Sequence, residues 1–219
     1  MVAGLRKGFI HSCVCWHGII MQKGSIVYFD SPGKQNTDQV LDAVAERIRK
    51  GDIKHVVVAS GTGETGELAV AKLKGKGVDV VVVTEHCGAA KEGECEMSQK
   101  AEEDLISAGA KVVRATHVLS GVERGINKKI GGSSRTEAIA EALRALFGQG
   151  MKVCVEITIM AADNGAIPCG DVEIIAVGGT ESGADTACVV RPAHANGFFN
   201  FEVREVLAIP RKHRKQERK

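Results

Sequence analysis

Long apolar runs are missing from this chain of 219 residues. No window reaches the roughly 18 consecutive apolar residues that a membrane-spanning helix needs, so the sequence predicts no membrane segment. The first 24 residues carry a basic pair ahead of an apolar stretch, as a signal peptide does, but histidines interrupt it and no small-residue cleavage site follows. We expect an N-terminal extension at 1–24, with Met21 as an alternative start, and a cytoplasmic protein.

Excess charge and aromatic side chains are also scarce. The formal net charge is +2, and aromatic residues make up 4% of the chain. Nucleic-acid surfaces combine clustered positive charge with aromatic stacking platforms, so we expect no nucleic-acid partner. Positive charge is concentrated in the tail 211–219, which we interpret as a solvated end because no aromatic residues interleave it.

Paired cysteine motifs are absent as well. The seven cysteines are odd in number and scattered, without the CxxC pairs of a zinc site or the density of a disulfide scaffold. Cys13, Cys15 and His17 lie close together but have no companion ligand elsewhere in the sequence. We therefore expect no bound metal and a reducing compartment.

Runs rich in valine and isoleucine alternate with helical patterns through one predicted domain, 25–210. From 25 to 84 the order is β-α-β-α-β, which predicts an α/β fold of three layers around a mostly parallel, doubly wound sheet. Further helices are predicted at 98–108 and 134–147, and further strands at 111–114, 152–160, 172–177, 186–190 and 203–209. The longest predicted strand, 152–160, contains Glu156, which we interpret as structural.

The stretch 55–66 is where the sequence places a ligand. A short apolar strand breaks into three glycines and several hydroxyls and then opens a helix. A helix N-terminus presents free N–H groups and the positive end of its dipole, which suits a phosphate, although the same turn could also bind nothing. The candidate residues are Ser60, Gly61, Thr62, Gly63, Glu64 and Thr65.

Three other segments follow strands and belong at the same crevice of an open α/β sheet: 85–97, 116–132 and 178–185. The second is long, basic and glycine-bearing, and we expect an irregular loop that folds over an anion. The third joins a β-hairpin and lacks a helix dipole. These segments add His86, His117, Gly179, Thr180, Gly183 and Ala184 as candidate binding residues, whereas catalytic residues stay unknown.

The same glycines permit a second interpretation. Gly61-x-Gly63-x-x-Gly66 follows a strand and precedes a helix, and Glu85 ends the next strand, as in the dinucleotide-binding fingerprint. In this reading Glu85 holds a ribose of NAD(P), and the protein is an oxidoreductase that transfers hydride. Against it, the fingerprint lies in the second βα unit, Glu85 is distant from Gly61, and the intervening helix is short.

A family resemblance covers nearly all of 25–210. The order of elements from Gln39 to Thr84 is similar to the carboxy-terminal domain of pyruvate kinase. Over a longer span the sequence resembles the stand-alone prokaryotic proteins of the pyruvate kinase α/β-domain group. The motifs that carry this are the Ser60–Thr65 loop, His117-x-x-Ser120-Gly121, the run Lys152–Asp163, and Gly178-Gly179-Thr180-x-x-Gly183-Ala184-Asp185-Thr186.

The resemblance implies a pocket rather than a reaction. In pyruvate kinase this domain has no catalytic residue and holds a phosphorylated allosteric effector at the loop that matches Ser60–Thr65. This chain has Gly75-Lys76-Gly77 where the kinase has Arg-Pro, so the sugar-bisphosphate effector is not carried over. Kinase activity is not expected, since the catalytic barrel would need roughly 250 further residues.

For the stand-alone group the resemblance implies FMN as the ligand. A regulatory module without catalysis is the other alternative. Catalysis, if present, would be flavin redox chemistry near His86, His117 or Cys87. The expected partner is therefore a small phosphorylated molecule, and the sequence leaves room for a homo-oligomer.

Overall fold

A computed structural model describes residues 24–213. The predicted extension at 1–24, apart from its last residue, and the part of the predicted tail beyond 213 lie outside the described residues. Within 24–213 no helix is long and apolar enough to cross a bilayer.

Seven strands and six α-helices form the described chain. The helices are α1 Thr37–Ile48, α2 Glu64–Leu73, α3 Gln99–Ser107, α4 Gly121–Ile130, α5 Arg135–Phe147 and α6 Gln149–Asp163. The strands are β1 Val27–Phe29, β2 His55–Ala59, β3 Asp79–Glu85, β4 Lys111–Ala115, β5 Ile174–Gly178, β6 Thr186–Arg191 and β7 Glu202–Pro210.

The strands form one sheet in the order β1-β7-β6-β5-β2-β3-β4. Only β6 runs antiparallel to its neighbours, and the other pairs are parallel. The predicted α/β fold with a mostly parallel sheet is therefore confirmed. The carboxyl ends of β2, β3, β4 and β5 lie along the same edge of the sheet, which brings the loops that follow them together.

Two apolar layers cover the sheet. One layer joins α1, α2 and α3 to one face through Val56, Val58 and Val82 of the central strands. The other packs α6 against the opposite face through Val57, Val81 and Ala176. Alternate residues of each strand thus point to opposite layers, and both faces of the central strands are apolar, as a buried parallel sheet requires.

Capping serines fix the starts of two helices that the sequence predicts. The Ser98 hydroxyl accepts a hydrogen bond from the Ala101 amide at the start of α3, and the Ser134 hydroxyl accepts one from the Glu137 amide at the start of α5, each at 3.2 Å. Both satisfy an amide that has no partner within its own helix. Helix α2 begins at Glu64, directly after the third residue of the Gly61-x-Gly63 sequence.

The strand predicted at 152–160 is wrong, since these residues form most of α6. The prediction rested on an apolar run rich in β-branched residues, which is typical of a buried strand. However, a helix that is buried around nearly its whole circumference carries the same run, and twelve of its fifteen residues are buried. Tertiary burial overrides local β-propensity here.

The irregular loop predicted at 116–132 is also wrong over most of its length, because α4 occupies Gly121–Ile130. None of the residues of α4 is buried, so the helix lies on the surface and does not fold over the crevice. Its sequence has apolar residues four apart at Val122, Ile126 and Ile130, a helical spacing that the two glycines obscured.

Helix α6 approaches β5 and β6 without intervening side chains. A Cβ built on Gly178 of β5 would lie 2.5 Å from the Gly150 carbonyl oxygen and 3.1 Å from the Cys154 amide nitrogen. A Cβ built on Gly150 would lie 2.7 Å from the Cβ of Thr186 in β6. Because these neighbours are backbone or buried side chains, they cannot move away cheaply.

We expect Gly178→Ala to lower the free energy of unfolding by about 1–3 kcal/mol through overpacking between α6 and β5. The matched control is Gly125→Ala on α4, where a new Cβ meets no atom within 4 Å. That change should leave stability unchanged or raise it by up to about 1 kcal/mol, since alanine favours helices. Urea unfolding of both variants measures the difference, and equal stabilities would contradict the close contact.

Candidate functional site

A cavity of about 380 Å³ opens at the carboxyl ends of the central strands. It lies next to β2 and β5, the neighbouring strands from which the chain proceeds toward opposite edges of the sheet. Open α/β sheets bind ligands at such a switch point. The residues that line it are Ala59, Ser60, Gly61, Thr62, Glu64, Thr65, Val83, Thr84, Glu85, Glu96, His117, Gln149, Lys152, Val153, Glu156, Ile157, Met160, Gly179, Glu181, Ser182 and Gly183.

The loop between β2 and α2 is held from within. The buried Ser60 hydroxyl accepts hydrogen bonds from the amides of Gly63 and Gly66, each at 3.2 Å. The Thr84 hydroxyl donates to the Gly61 carbonyl at 2.9 Å and ties the loop to β3. Gly63 has φ +109°, a conformation that favours glycine. The loop is therefore shaped before any ligand arrives.

Four amides of this loop remain without an acceptor. Among residues 24–213, no hydrogen bond is found for the amides of Gly61, Thr62, Glu64 and Thr65. The last two belong to the first turn of α2, where amides have no intrahelical partner and the helix dipole is positive. The Thr65 side chain is buried and lines the cavity beside them. The loop offers a set of donors to a negatively charged oxygen group.

The wall opposite the loop is supplied by α6. Val153, Ile157 and Met160 line the cavity from this helix, and Ala59 and Val83 line it from the sheet. The loop thus contributes amides and hydroxyls to the cavity, whereas α6 contributes these apolar side chains beside the polar Gln149, Lys152 and Glu156. A small ligand with an anionic end and an apolar body matches this division.

Buried charged groups lie at the base of the cavity. Histidine 117 contacts two carboxylates: its Nδ1 lies 2.8 Å from Glu156 and its Nε2 lies 3.0 Å from Glu85. Glu156 also accepts hydrogen bonds from Lys152 and from the Leu119 amide, the latter at 3.1 Å. The side chains of Lys152 and Glu156 are only 4% and 1% exposed, so this ion pair is almost fully removed from water.

The pKa values reflect these contacts. The hydrogen bond that His117 donates to Glu156 raises the pKa of His117 against the opposing effect of burial. Burial disfavours the charged form of Glu156, but His117 and Lys152 outweigh it and lower its pKa to about 2. Burial lowers the pKa of Lys152 although Glu156 opposes the change. The contacts with His117 and Lys152 therefore stabilise the ionised form of Glu156, whereas burial and Glu156 act in opposite directions on Lys152.

Two carboxyl side chains, Glu85 and Glu96, lie together at the mouth of the cavity. Glu85 and Glu96 are hydrogen-bonded, which together with burial raises the pKa of Glu96. Burial opposes ionisation of Glu85, yet hydrogen bonds from His117 and Glu96 lower its pKa. The Glu96 carboxyl also lies against the glycine loop, since a Cβ built on Gly61 would be 2.9 Å from its Cδ.

A disulfide between Cys87 and Cys95 closes the loop directly before Glu96. The number and motifs of the cysteines did not predict this pair, because neither shows which cysteines lie close together. Cys87 and Cys95 are exposed, whereas Cys154 and Cys188 are buried thiols. In the described part of the chain, no group of three histidine, cysteine or carboxylate side chains could hold a metal ion.

Most of the residues predicted for the site do line the cavity. They are Ser60, Gly61, Thr62, Glu64, Thr65, His117, Gly179 and Gly183. The structure does not place Gly63, His86, Thr180 or Ala184 in the lining. Ala184 is buried instead, and its amide donates to the Thr37 hydroxyl at 3.0 Å, which fixes the second glycine loop to α1. The His86 ring contacts His117 edge-on, with centroids 6.4 Å apart.

The contribution of α6 to the cavity was not predicted from the sequence, and Glu156 was interpreted as structural. The unpredicted residues of α6 include Lys152, Val153, Ile157 and Met160. A signal was present: Lys152 and Glu156 are four residues apart, a spacing that places opposite charges on one helical face. In a strand, that spacing also puts both on one side, so it could not settle the matter alone. Glu96 carried no signal of its own.

The described residues define an α/β protein with a cavity at the carboxyl ends of parallel strands. A family model for the pyruvate kinase alpha/beta domain matches residues 38–190, more than half of the chain. The chain belongs to this family, as its sequence motifs indicate. The matched residues include the glycine loop, the buried charged cluster and the hairpin loop at 179–183.

We expect His117 to titrate above the usual histidine pKa of about 6.5. Its facing groups are Glu156 and Lys152 on α6 and Glu85 on β3. Glu156→Gln should lower the pKa of His117 more than Glu85→Gln does, because the Glu156 bond contributes most. NMR titration of the imidazole ring measures both shifts.

Stability provides a second readout of the same group. Because folding raises the pKa of His117, its contribution to stability is present below about pH 6.5 and is lost as pH rises through the folded value. Glu156→Gln leaves Lys152 buried without its counter-ion. Glu85 is partly exposed, so Glu85→Gln is the variant that disturbs the fold less. A His117 pKa at or below 6.5 in the folded wild-type protein would contradict the assignment.

Proposed function

We propose that the protein binds a phosphate-bearing mononucleotide in this cavity, with FMN as the specific ligand. The single observation that carries the proposal is the set of four unpaired amides at 61–65 in a loop that lines the same cavity as apolar side chains of α6. A terminal phosphate would accept hydrogen bonds from these amides and from the Thr65 hydroxyl. We expect no kinase activity from this chain, and a site that only binds its ligand agrees with that expectation.

The residues present fit a flavin. Its phosphate needs one cradle, and its ring needs an apolar slot with a few polar groups at the edge. Val153, Ile157 and Met160 would contact the ring face. Lys152 and His117, at the base of the same cavity, would supply polar groups to the ring edge. When bound, FMN would supply one- or two-electron redox chemistry. A regulatory module that binds the nucleotide without catalysis uses the same contacts.

The NAD(P) oxidoreductase remains the competing proposal, and two observations favour a mononucleotide over it. The fingerprint reading requires the Glu85 carboxylate to accept ribose hydroxyls, but this carboxyl is already bonded to His117 and Glu96. The cavity of about 380 Å³ also lies near the lower end of the usual range for small-molecule sites, about 300–1,000 Å³. One nucleotide is easier to accommodate there than two.

We expect purified protein to bind FMN in preference to NAD, which fluorescence quenching and isothermal titration calorimetry measure. The oxidised flavin absorbs at roughly 370 and 450 nm, so co-purified cofactor would also be visible in the spectrum. Colourless protein that ignores FMN but binds NAD, and loses NAD on Glu85→Ala, would establish the competing function instead.

The Thr65 hydroxyl provides a residue-level test. Thr65→Val keeps the shape of the side chain and removes one donor to the phosphate, so FMN affinity should fall by about 1–3 kcal/mol, or roughly 5- to 150-fold. The matched control is Thr180→Val, because Thr180 was predicted for the site but does not line the cavity. Equal FMN affinities for the two variants would remove the glycine loop from the binding site.

A further inference from the structure

A carboxyl group lies against the glycine loop that is proposed to hold the phosphate. The Glu96 side chain lies against Gly61, with its Cδ 2.9 Å from the position of a Cβ on that glycine. Glu96 is also hydrogen-bonded to Glu85, so two carboxyl groups meet at the mouth of the cavity. A phosphate carries like charge and would have to approach within contact distance of this pair. Such an approach is unfavourable unless Glu96 moves away.

The position of Glu96 depends on the disulfide. Cys87 follows Glu85 by two residues and Cys95 precedes Glu96 directly, and the bond holds the two cysteine Cα atoms 4.1 Å apart. The two carboxyls are therefore brought together by a covalent tie between their neighbours. On the other side of Glu96, the buried Met97 fixes the chain to the core.

Little else holds this segment in place. Residues 87–96 are exposed and contain no helix or strand. Within the described chain, its main-chain bonds are those from Gly88 to Glu94 and from Glu94 to Lys91, at 2.7 and 3.1 Å. A loop with few buried contacts opens at low free-energy cost once its crosslink is removed. Exposed disulfides are also the ones that thiols reach most readily.

We propose that Cys87 and Cys95 form a redox-sensitive modification site that controls phosphate binding, with the oxidised pair holding Glu96 on the glycine loop and the reduced pair releasing it. This inference rests on the proposed function, because it names the regulation of the same site. In a reducing compartment the site would be open at rest, and oxidation would close it.

The chemistry is a thiol–disulfide exchange. A dithiol reductant attacks one sulfur of the pair, the S–S bond breaks, and a mixed disulfide forms. The second thiol of the reductant then displaces the other cysteine. Two electrons and two protons pass to Cys87 and Cys95, which become thiols, and the reductant leaves as its own disulfide.

The test is a titration of the full chain with inorganic phosphate, followed by the amide NMR signals of 61–65, in oxidised protein and in protein reduced with dithiothreitol. We expect reduced protein to bind phosphate about tenfold more tightly. The double variant Cys87→Ser, Cys95→Ser should reproduce the reduced state without reductant. Glu96→Ala should bring oxidised protein close to the reduced affinity, because it removes the carboxyl that lies against Gly61 and keeps the disulfide.

The matched control is Glu92→Ala, which removes the same kind of side chain four residues earlier, inside the loop that the disulfide closes, where Glu92 does not line the cavity. It should leave both affinities unchanged. Equal phosphate affinity in the oxidised and reduced states, or an effect of Glu92→Ala equal to that of Glu96→Ala, would overturn the proposal.

A parallel titration with FMN separates this inference from the proposed function. Redox-dependent phosphate binding without FMN binding would support the control by Cys87 and Cys95 and overturn the mononucleotide. If the protein binds FMN and phosphate equally well in both redox states, the mononucleotide is supported and the control by Cys87 and Cys95 is overturned. Absence of any phosphate-induced shift at 61–65 in either state would overturn both.

Discussion

The contact between α6 and β5 is the constraint on which the rest of the structure depends. Gly178 and Gly150 leave no room for a side chain between the helix and the strand, so α6 lies directly on the sheet. This approach buries nearly all of α6 and brings Lys152 and Glu156 beneath the carboxyl ends of β2 and β3. A helix one side chain farther out would leave the cavity without its apolar wall and without its charged base.

Burying the charged Lys152 and Glu156 side chains at the bottom of the cavity costs desolvation free energy, and packing alone does not explain why they are there. Replacing a buried ion pair with apolar residues of similar volume is often neutral or stabilising, so Lys152 and Glu156 are weak evidence for a purely structural role. Their partner His117 faces the cavity and reaches Glu85 at its mouth. A chain of hydrogen bonds therefore runs from Lys152 and Glu156 in the interior through His117 to Glu85 at the mouth of the cavity. The pre-shaped glycine loop supplies the opposite, electropositive part of the same cavity.

The sequence predicted the fold well where local signals and tertiary context agree. The apolar strands β2 and β3, the capping serines 98 and 134, and the hairpin of β5 and β6 all combine a local pattern with its usual environment. Prediction failed for α6, because an apolar run of β-branched residues fits a buried helix and a buried strand equally. For the site, the glycine loop was predictable from its own residues. Glu96 was not, since its position follows from a disulfide whose pairing the cysteine spacing did not reveal.

A crystal structure of the reduced protein grown with FMN tests the central claim most directly. The account predicts a phosphate whose oxygens lie about 2.7–3.1 Å from the amides at 61–65, as charge-assisted hydrogen bonds require. It also predicts a flavin ring against Val153, Ile157 and Met160, and a Glu96 side chain displaced from Gly61. An FMN phosphate held elsewhere, with the four loop amides still unpaired, would contradict the account.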